Sequence, residues 1–294
     1  MDGTPPDTGL QIETFEQRVH HLFLSGLTYL ATTKCLYLSE EQIVEIERAR
    51  HRLTTFIDGQ FDYMLRNASE RARNQRLFSH YDYKLISLGT DCFARTLSTR
   101  WGLKPPKAMG ERTHPFDLAV HSYETVCQVL DGDFAGYLDS ASLALSGRGY
   151  VVHKRLKIQF NHEIGEAYAT NNFEKFITVY EKRIANFRED IANFPILFVI
   201  HLTTNQLPIS LYEILTKRTR RDDWRLLAIN TSEDAFEMPA KLPERLHLAH
   251  VPYPSPKFVW HLAGDFATLE GYAFERRIVA ALRQVLVANF RRRS

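Results

Sequence analysis

An α/β fold, with helices layered on a largely parallel sheet, is what three features of the chain predict. Lys84-Leu-Ile-Ser-Leu88 is a short apolar run stopped by Gly89, and Ile196-Leu-Phe-Val-Ile-His-Leu202 is apolar on both alternating faces. Runs of that kind suit strands buried on both sides. Between them the periodicity changes to that of helices, and such alternation builds helix-covered sheets.

The elements follow in chain order. Residues 1–10 are polar and rich in Pro and Gly, a composition that predicts disorder. From Leu10 to about Gln75 the pattern is helical, with a capping start at Ser39-Glu-Glu-Gln42 and Ile43, Ile46 and Leu53 behind it. The expected organisation is therefore a helical region over residues 1–80, followed by an α/β catalytic domain over residues 81–294. Within the second part the strands expected after Lys84–Leu88 are Tyr150–His153, Leu156–Phe160, Ile196–Leu202, Leu226–Ile229 and Leu246–Val251. Helices are expected from Phe93, from near Tyr123, over Phe173–Asn193, over Leu211–Arg221 and over Gly264–Arg292. In the Phe173–Asn193 stretch Phe176, Tyr180, Ile184, Phe187 and Ile191 fall close to one stripe. The resulting sheet is layered and Rossmann-like, mostly parallel; a papain-like α+β arrangement is the alternative.

Composition excludes several classes. Lys plus Arg number 37 against 35 for Asp plus Glu, so no single-sign field marks the chain for nucleic acid. No apolar run approaches the ~20 residues of a membrane span, and the acidic Met1-Asp-Gly-Thr-Pro-Pro-Asp7 start is unlike a signal peptide, which predicts a cytoplasmic protein. Cys35, Cys92 and Cys127 are three in number and lack CxxC spacing, so free thiols are expected in place of disulfides or a thiolate zinc site. There is no Walker A segment, no GxGxxG and no HExxH. The expected cofactor list is accordingly empty, as is the metal list, with acyl-coenzyme A entering only if the enzyme is a transferase.

Cys92 is the expected chemical centre. In open α/β sheets reactive groups gather where a strand's carboxyl end turns into a helix, and Leu85-Ile-Ser-Leu-Gly-Thr-Asp-Cys92 leads into Phe93-Ala-Arg-Thr-Leu97 in that way. Gly89 permits a left-handed turn, and Thr90 or Asp91 can cap the helix. Unpaired amides at the helix start lower a thiol's pKa, and amides near Gly89 and Phe93 would hold an oxyanion. The opposing reading makes Cys92 a small buried hydrophobe.

Ser87-Leu-Gly-Thr-Asp-Cys92, followed by Pro115-Phe-Asp117, resembles the Ser-Leu-Gly-x-x-Cys and Pro-Phe-Asp-Trp signatures of an uncharacterised bacterial family of papain-like cysteine peptidases. Leu118 stands where that family has Trp. The family's later His-acidic strand is best matched by Phe160-Asn-His-Glu163, and Tyr180-Glu-Lys-Arg-Ile184 with Ile196-Leu-Phe-Val199 resemble its basic helix and following strand. The resemblance covers roughly residues 83–251 and implies a cysteine peptidase.

A thiol nucleophile needs an imidazole, and the imidazole an orienting acceptor. His162 is the first choice, because it stands at the polar end of an expected strand and where the resemblance points. His114, held extended before Pro115, is the alternative. Asp117 is the expected orienter of the imidazole, against a plain capping role. His201 and Asn205, at the carboxyl end of the Ile196 strand, are further candidates for the same crevice. Cys127 and Cys35 read as packing residues. Three functions fit: a cysteine hydrolase with a covalent Cys92 intermediate, an acyltransferase modifying a bacterial surface glycan through the same intermediate, or a binding module in which Cys92 is inert. The expected partner is a small-molecule, peptide or glycan substrate.

Overall fold

The computed structural model describes residues 63, 66–105, 107–237 and 239–292. The helices and disordered start expected before residue 63, and Cys35 with them, lie outside the described residues. One compact unit spans Tyr63–Ser294, and a helix over residues 66–78 (α1) belongs to it.

Two sheets organise the unit. The larger has the order β1 (Lys84–Ser87), β5 (Ile196–Leu202), β6 (Trp224–Asn230) and β7 (Leu246–His250). All its pairings are parallel, with Lys84 opposite Ile196, Ile196 opposite Trp224 and Leu226 opposite Leu246. The layered α/β expectation is therefore what the chain builds, and Lys84–Ser87 and Ile196–Leu202 are direct neighbours. The smaller sheet is antiparallel: β2 (Leu143–Leu145), β3 (Tyr150–His153) and β4 (Ile158–Ile164). It lies within the crossover from β1 to β5, which also contains α2 (Phe93–Arg100), α3 (Tyr123–Asp131) and α4 (Thr170–Asn193).

Strand periodicity divides the core in two. Ile86, Phe198 and Ile200 face one layer with residues of α3, α4 and α5 (Ile209–Arg218), while Leu85, Leu197 and Val199 face the other with residues of α1, α2 and α7 (Leu269–Asn289). Successive side chains of a strand point to opposite faces, so a strand covered on both sides is apolar throughout, and every residue of β5 is buried.

Some expected bounds shift. The C-terminal helix is broken into α6 (Ala263–Phe266) and α7, because Thr268 is extended and caps the second helix by accepting from the Gly271 amide. Gly271 is required there, since a Cβ would run into the carbonyls of Asp265 and Phe266. The papain-like alternative, with its cysteine heading a long central helix over an antiparallel sheet, does not match. The helix after Cys92 has eight residues, and it follows a strand of the parallel sheet. No described helix is long and apolar enough to cross a membrane.

Candidate active site at Cys92

Cys92 Sγ and His162 Nε2 lie 3.4 Å apart, although 70 residues separate them in the chain. The convergence is built from backbone pairing. Gly89 (φ 73°) and Thr90 (φ 40°) turn the chain sharply after β1. Thr90 is not a glycine, so its left-handed backbone costs on the order of 1 kcal/mol and must be held by its surroundings. Its Oγ1 donates to the His201 carbonyl at 2.6 Å, and its own carbonyl accepts from the His121 amide at 3.2 Å. The residue beside His121, Val120, forms a two-way antiparallel bridge with Gln159 of β4, at 2.8 and 3.1 Å. Three residues further along β4 is His162. The Cys92 turn, the Val120–His121 segment and β4 are thus stitched in series.

Within β4 the register does the rest. Val151 pairs with Phe160 but Tyr150 pairs with Ile164, so Asn161, His162 and Glu163 are extra residues on the β4 side. A bulge of this kind re-aims side chains. Glu163 is turned inward, where its Oε1 accepts from Arg183 Nη2 at 2.7 Å and its Oε2 from the Tyr180 hydroxyl at 3.1 Å. His162 is turned outward and toward the thiol. The Glu163 anchor on α4 therefore sets the direction of its neighbour.

Cys92 is 7% exposed and occupies the N-cap position of α2 without capping through its side chain. A depressed pKa was expected from the helix start, but the thiol is pushed up to about 12. Burial is the main cause, and the carboxylates of Asp91 and Asp117 add to it against the opposing Arg95 and a hydrogen bond from Asn161. The helix amide expected to favour a thiolate is spent: Phe93 N–H donates to Asp91 Oδ1 at 2.9 Å. The Gly89 amide likewise has an acceptor, Ser87 Oγ at 3.4 Å. Gly89 and Phe93 thus shape the turn, and the two oxyanion donors expected there are already engaged. The His162 imidazole lies below its ordinary range, chiefly through burial, with Arg95 and Arg183 adding to the effect and Glu163 opposing it. At neutral pH both members of the pair are uncharged, a thiol facing a free imidazole.

The other expected partners go elsewhere. Asp117 is fully buried and accepts from the His114 amide at 2.9 Å, with Arg95 Nε at 3.3 Å. It therefore orients the loop and the Arg95 side chain, where an orienter of His162 was expected. His114 is also fully buried, its Nε2 2.9 Å from Asp190 Oδ2, which ties the Pro115 loop to α4 and keeps this imidazole from the thiol. His201 is committed at both nitrogens, Nδ1 to the Asp91 carboxylate at 3.2 Å and Nε2 to Thr231 Oγ1 at 2.9 Å, and its ring stacks on Phe93 at 4.2 Å. It braces the Cys92 turn through Asp91 and Phe93. Asn205 is exposed in the bend after β5, and none of the hydrogen bonds described involves it.

Three contributors went unnoticed in sequence. Asp91 reads in sequence only as a cap, although its carboxylate accepts from the Phe93 amide and lies 3.2 Å from His201 Nδ1. Arg95, one helical turn past Cys92, bridges to Asp117. His121 packs under Gly89, where a Cβ would meet its Nδ1 at 3.3 Å. Burial drives the His121 imidazole down to about 3. The only local signal for these was their closeness in sequence to the Gly-x-x-Cys turn and the Pro-Phe-Asp loop. Among the described residues no group of three or more His, Cys, Asp or Glu is arranged to hold a metal ion.

Comparison with known proteins adds nothing to this geometry: no family model, curated protein or solved structure matches the chain.

Proposed function

We propose that the chain is a cysteine-dependent hydrolase that forms a covalent acyl intermediate on Cys92, in line with the peptidase class that its sequence motifs resemble. The observation that carries the reading is the 3.4 Å approach of the Cys92 sulfur to His162 Nε2 at a strand-to-helix turn. Proton transfer needs a base within hydrogen-bonding reach of the proton it takes, and a free imidazole at this distance meets that demand.

The neutral resting pair sets the order of events. His162 Nε2 accepts the thiol proton as the sulfur bonds to the substrate's carbonyl carbon, whose π electrons move to oxygen. Collapse of the tetrahedral adduct re-forms the carbonyl and expels the leaving group, which takes its proton from the imidazolium. A water deprotonated by His162 then attacks the thioester, and Cys92 recovers its proton as it departs. General-base chemistry of this kind resembles that of a serine hydrolase more than that of a pre-formed thiolate-imidazolium pair. A hydroxyl or amine acceptor in place of water turns the same steps into acyl transfer.

The test is to incubate the protein with an activated acyl ester and follow its intact mass. An acyl adduct located on Cys92 by peptide mapping, lost in Cys92→Ala and strongly slowed in His162→Ala, supports the reading. A protein that is never acylated, or is acylated equally well without His162, overturns it.

A further inference from the structure

We infer that a second site, remote from Cys92, binds an amphipathic anion: an apolar chain that ends in one carboxylate or phosphate group. The inference does not depend on the hydrolase reading.

The site is a cavity of about 420 Å³ that opens where three helices end. Small-ligand pockets occupy about 300–1,000 Å³, so its size suits one small molecule. Its walls come from the turn after α3, the last turns of α4 and the segment that carries the chain from α5 into β6. Residues of α4 and of that segment lead into the amino ends of β5 and β6, whereas Cys92 follows the carboxyl end of β1. In a parallel sheet these are opposite ends, about 20 Å apart along a strand as long as β5. A ligand here does not reach the thiol.

The wall is apolar. Leu130, Phe134, Phe187 and Leu215 line the cavity and belong to the core, and Ile191 packs against them. The Phe134 ring lies 5.6 Å from that of Phe187, set there by left-handed backbone at Asp133 (φ 47°) and Phe134 (φ 63°). The Phe134 amide donates to the Val129 carbonyl at 2.9 Å, which fixes the turn. Water against such a wall finds few hydrogen-bonding partners, so an apolar occupant is favoured.

The rim carries one sign of charge. Arg188, Arg218, Arg220 and Arg221 line it against a single lining carboxylate, Asp133. Arg188 Nε donates to Asp133 Oδ1 at 3.2 Å, and Arg221 Nε to Asp223 Oδ1 at 2.8 Å. The adjacent Asp222 accepts from Arg245 at 2.7 Å. Arg218 and Arg220 are exposed, and none of the described hydrogen bonds or ion pairs involves them. A cation at Arg218 complements the carbonyls of the last turn of α5, but Arg220 lies beyond that helix and lacks this reason. The guanidinium fork matches carboxylate and phosphate oxygens and is weakly hydrated, which suits pairing beside an apolar surface. A small inorganic anion would leave the wall wet, and an uncharged apolar molecule would leave the arginines unpaired. An anion with an apolar tail satisfies both.

Calorimetric titration of the whole chain with decanoate, decyl phosphate and decanol tests the assignment. At least one of the two anions is expected to bind with one equivalent, and decanol at least about tenfold more weakly. Replacing both exposed arginines, Arg218→Gln with Arg220→Gln, is expected to weaken anion binding about tenfold or more. Ala192→Trp adds an indole at an exposed lining position of α4 and is expected to abolish binding by filling the cavity. Melting curves show that each variant is folded; should one fail, the other decides. Raising salt from about 0.05 to about 0.5 M should weaken the anions and leave decanol unchanged. Tighter binding of one anion identifies the head group within the proposal. Equal affinity for decanol, no binding of either anion, or binding indifferent to these substitutions overturns the site and leaves the reading of Cys92 untouched.

Discussion

His162 and His201 both approach the Cys92 turn, and the structure treats them in opposite ways. His201 is the penultimate residue of an interior strand, is 1% exposed, and has each ring nitrogen assigned to a partner, Asp91 on one side and Thr231 on the other. His162 sits in a bulge of an edge strand in the small sheet, is exposed on its outer side, and offers Nε2 to a thiol. A ring with both nitrogens occupied is a strut: it transmits position and has no proton to exchange without breaking a bond. A ring with one nitrogen facing a thiol is placed to serve as the base that the proposed hydrolase needs. Sheet position explains the contrast, since an interior strand of a covered sheet leaves no room for a bulge, whereas an edge strand accommodates extra residues.

The sharpest way to break the comparison is to remove each imidazole in turn. His162→Ala is expected to lower the rate of Cys92 acylation about 10²–10⁴-fold while shifting the melting temperature by no more than a few degrees. His201→Ala is expected to behave the other way, losing on the order of 3 kcal/mol of stability through the unpaired Asp91, with the folded fraction still acylated within about tenfold of the unsubstituted rate. Denaturant titration and acylation kinetics on the same samples check both. Loss of acylation in a fully stable His201→Ala protein would reverse the roles.

Acid sharpens the contrast between buried and open imidazoles. Burial pushes His121 down to about 3, below its value in the unfolded chain. Its contribution to stability is therefore complete above about pH 6.5 and is lost as the pH falls toward 3. By about pH 4.5 the loss attributable to this one group reaches about 2–3 kcal/mol. Denaturant midpoints measured at pH 7 and pH 4.5 should converge in His121→Gln relative to the unsubstituted protein; an unchanged pH dependence would remove His121 as a buried neutral group.

The charge around the thiol gives the next effect. Asp91 raises the Cys92 pKa by its proximity, so Asp91→Asn should lower it and speed iodoacetamide alkylation at about pH 8 several-fold, at a cost of about 1–3 kcal/mol as His201 loses its charged acceptor. The smallest expected effect concerns the shape of a curve. Because the thiol is pushed up to about 12, alkylation of the unsubstituted protein should climb steadily from pH 7 to 10 with no plateau near the ~8.5 of a free thiol. A plateau below pH 7 would mean a pre-formed ion pair, and the proton-transfer order proposed here would be wrong.

Much of this molecule was legible before its fold was known, and the unreadable parts share a cause. The run ended by Gly89 and the run from Ile196 announce buried strands through composition alone, and they are neighbours in parallel register. The turn at Gly89 and the helix after Cys92 are equally local. Of the partners, His162 was marked by its polar neighbours and by the motif resemblance. The orienting role expected of Asp117 was not met, because that carboxylate turns its Oδ2 to the His114 amide of its own loop and to Arg95 of α2. The expected low thiol pKa was not met either, since burial pushes the thiol up and the neighbouring Asp91 carboxylate adds to that effect.

What the sequence determined by itself is whatever depends on a few adjacent residues: two-faced strands, a glycine turn with positive φ, and a cysteine at the head of a helix. Tertiary structure decided which imidazole meets the thiol and which carboxylates surround it. The Val120–Gln159 bridge and the unequal register of β3 and β4 bring residue 162 to residue 92. Backbone pairings between distant segments are made by groups that every residue possesses, so side-chain chemistry read along the chain does not encode them in any local pattern.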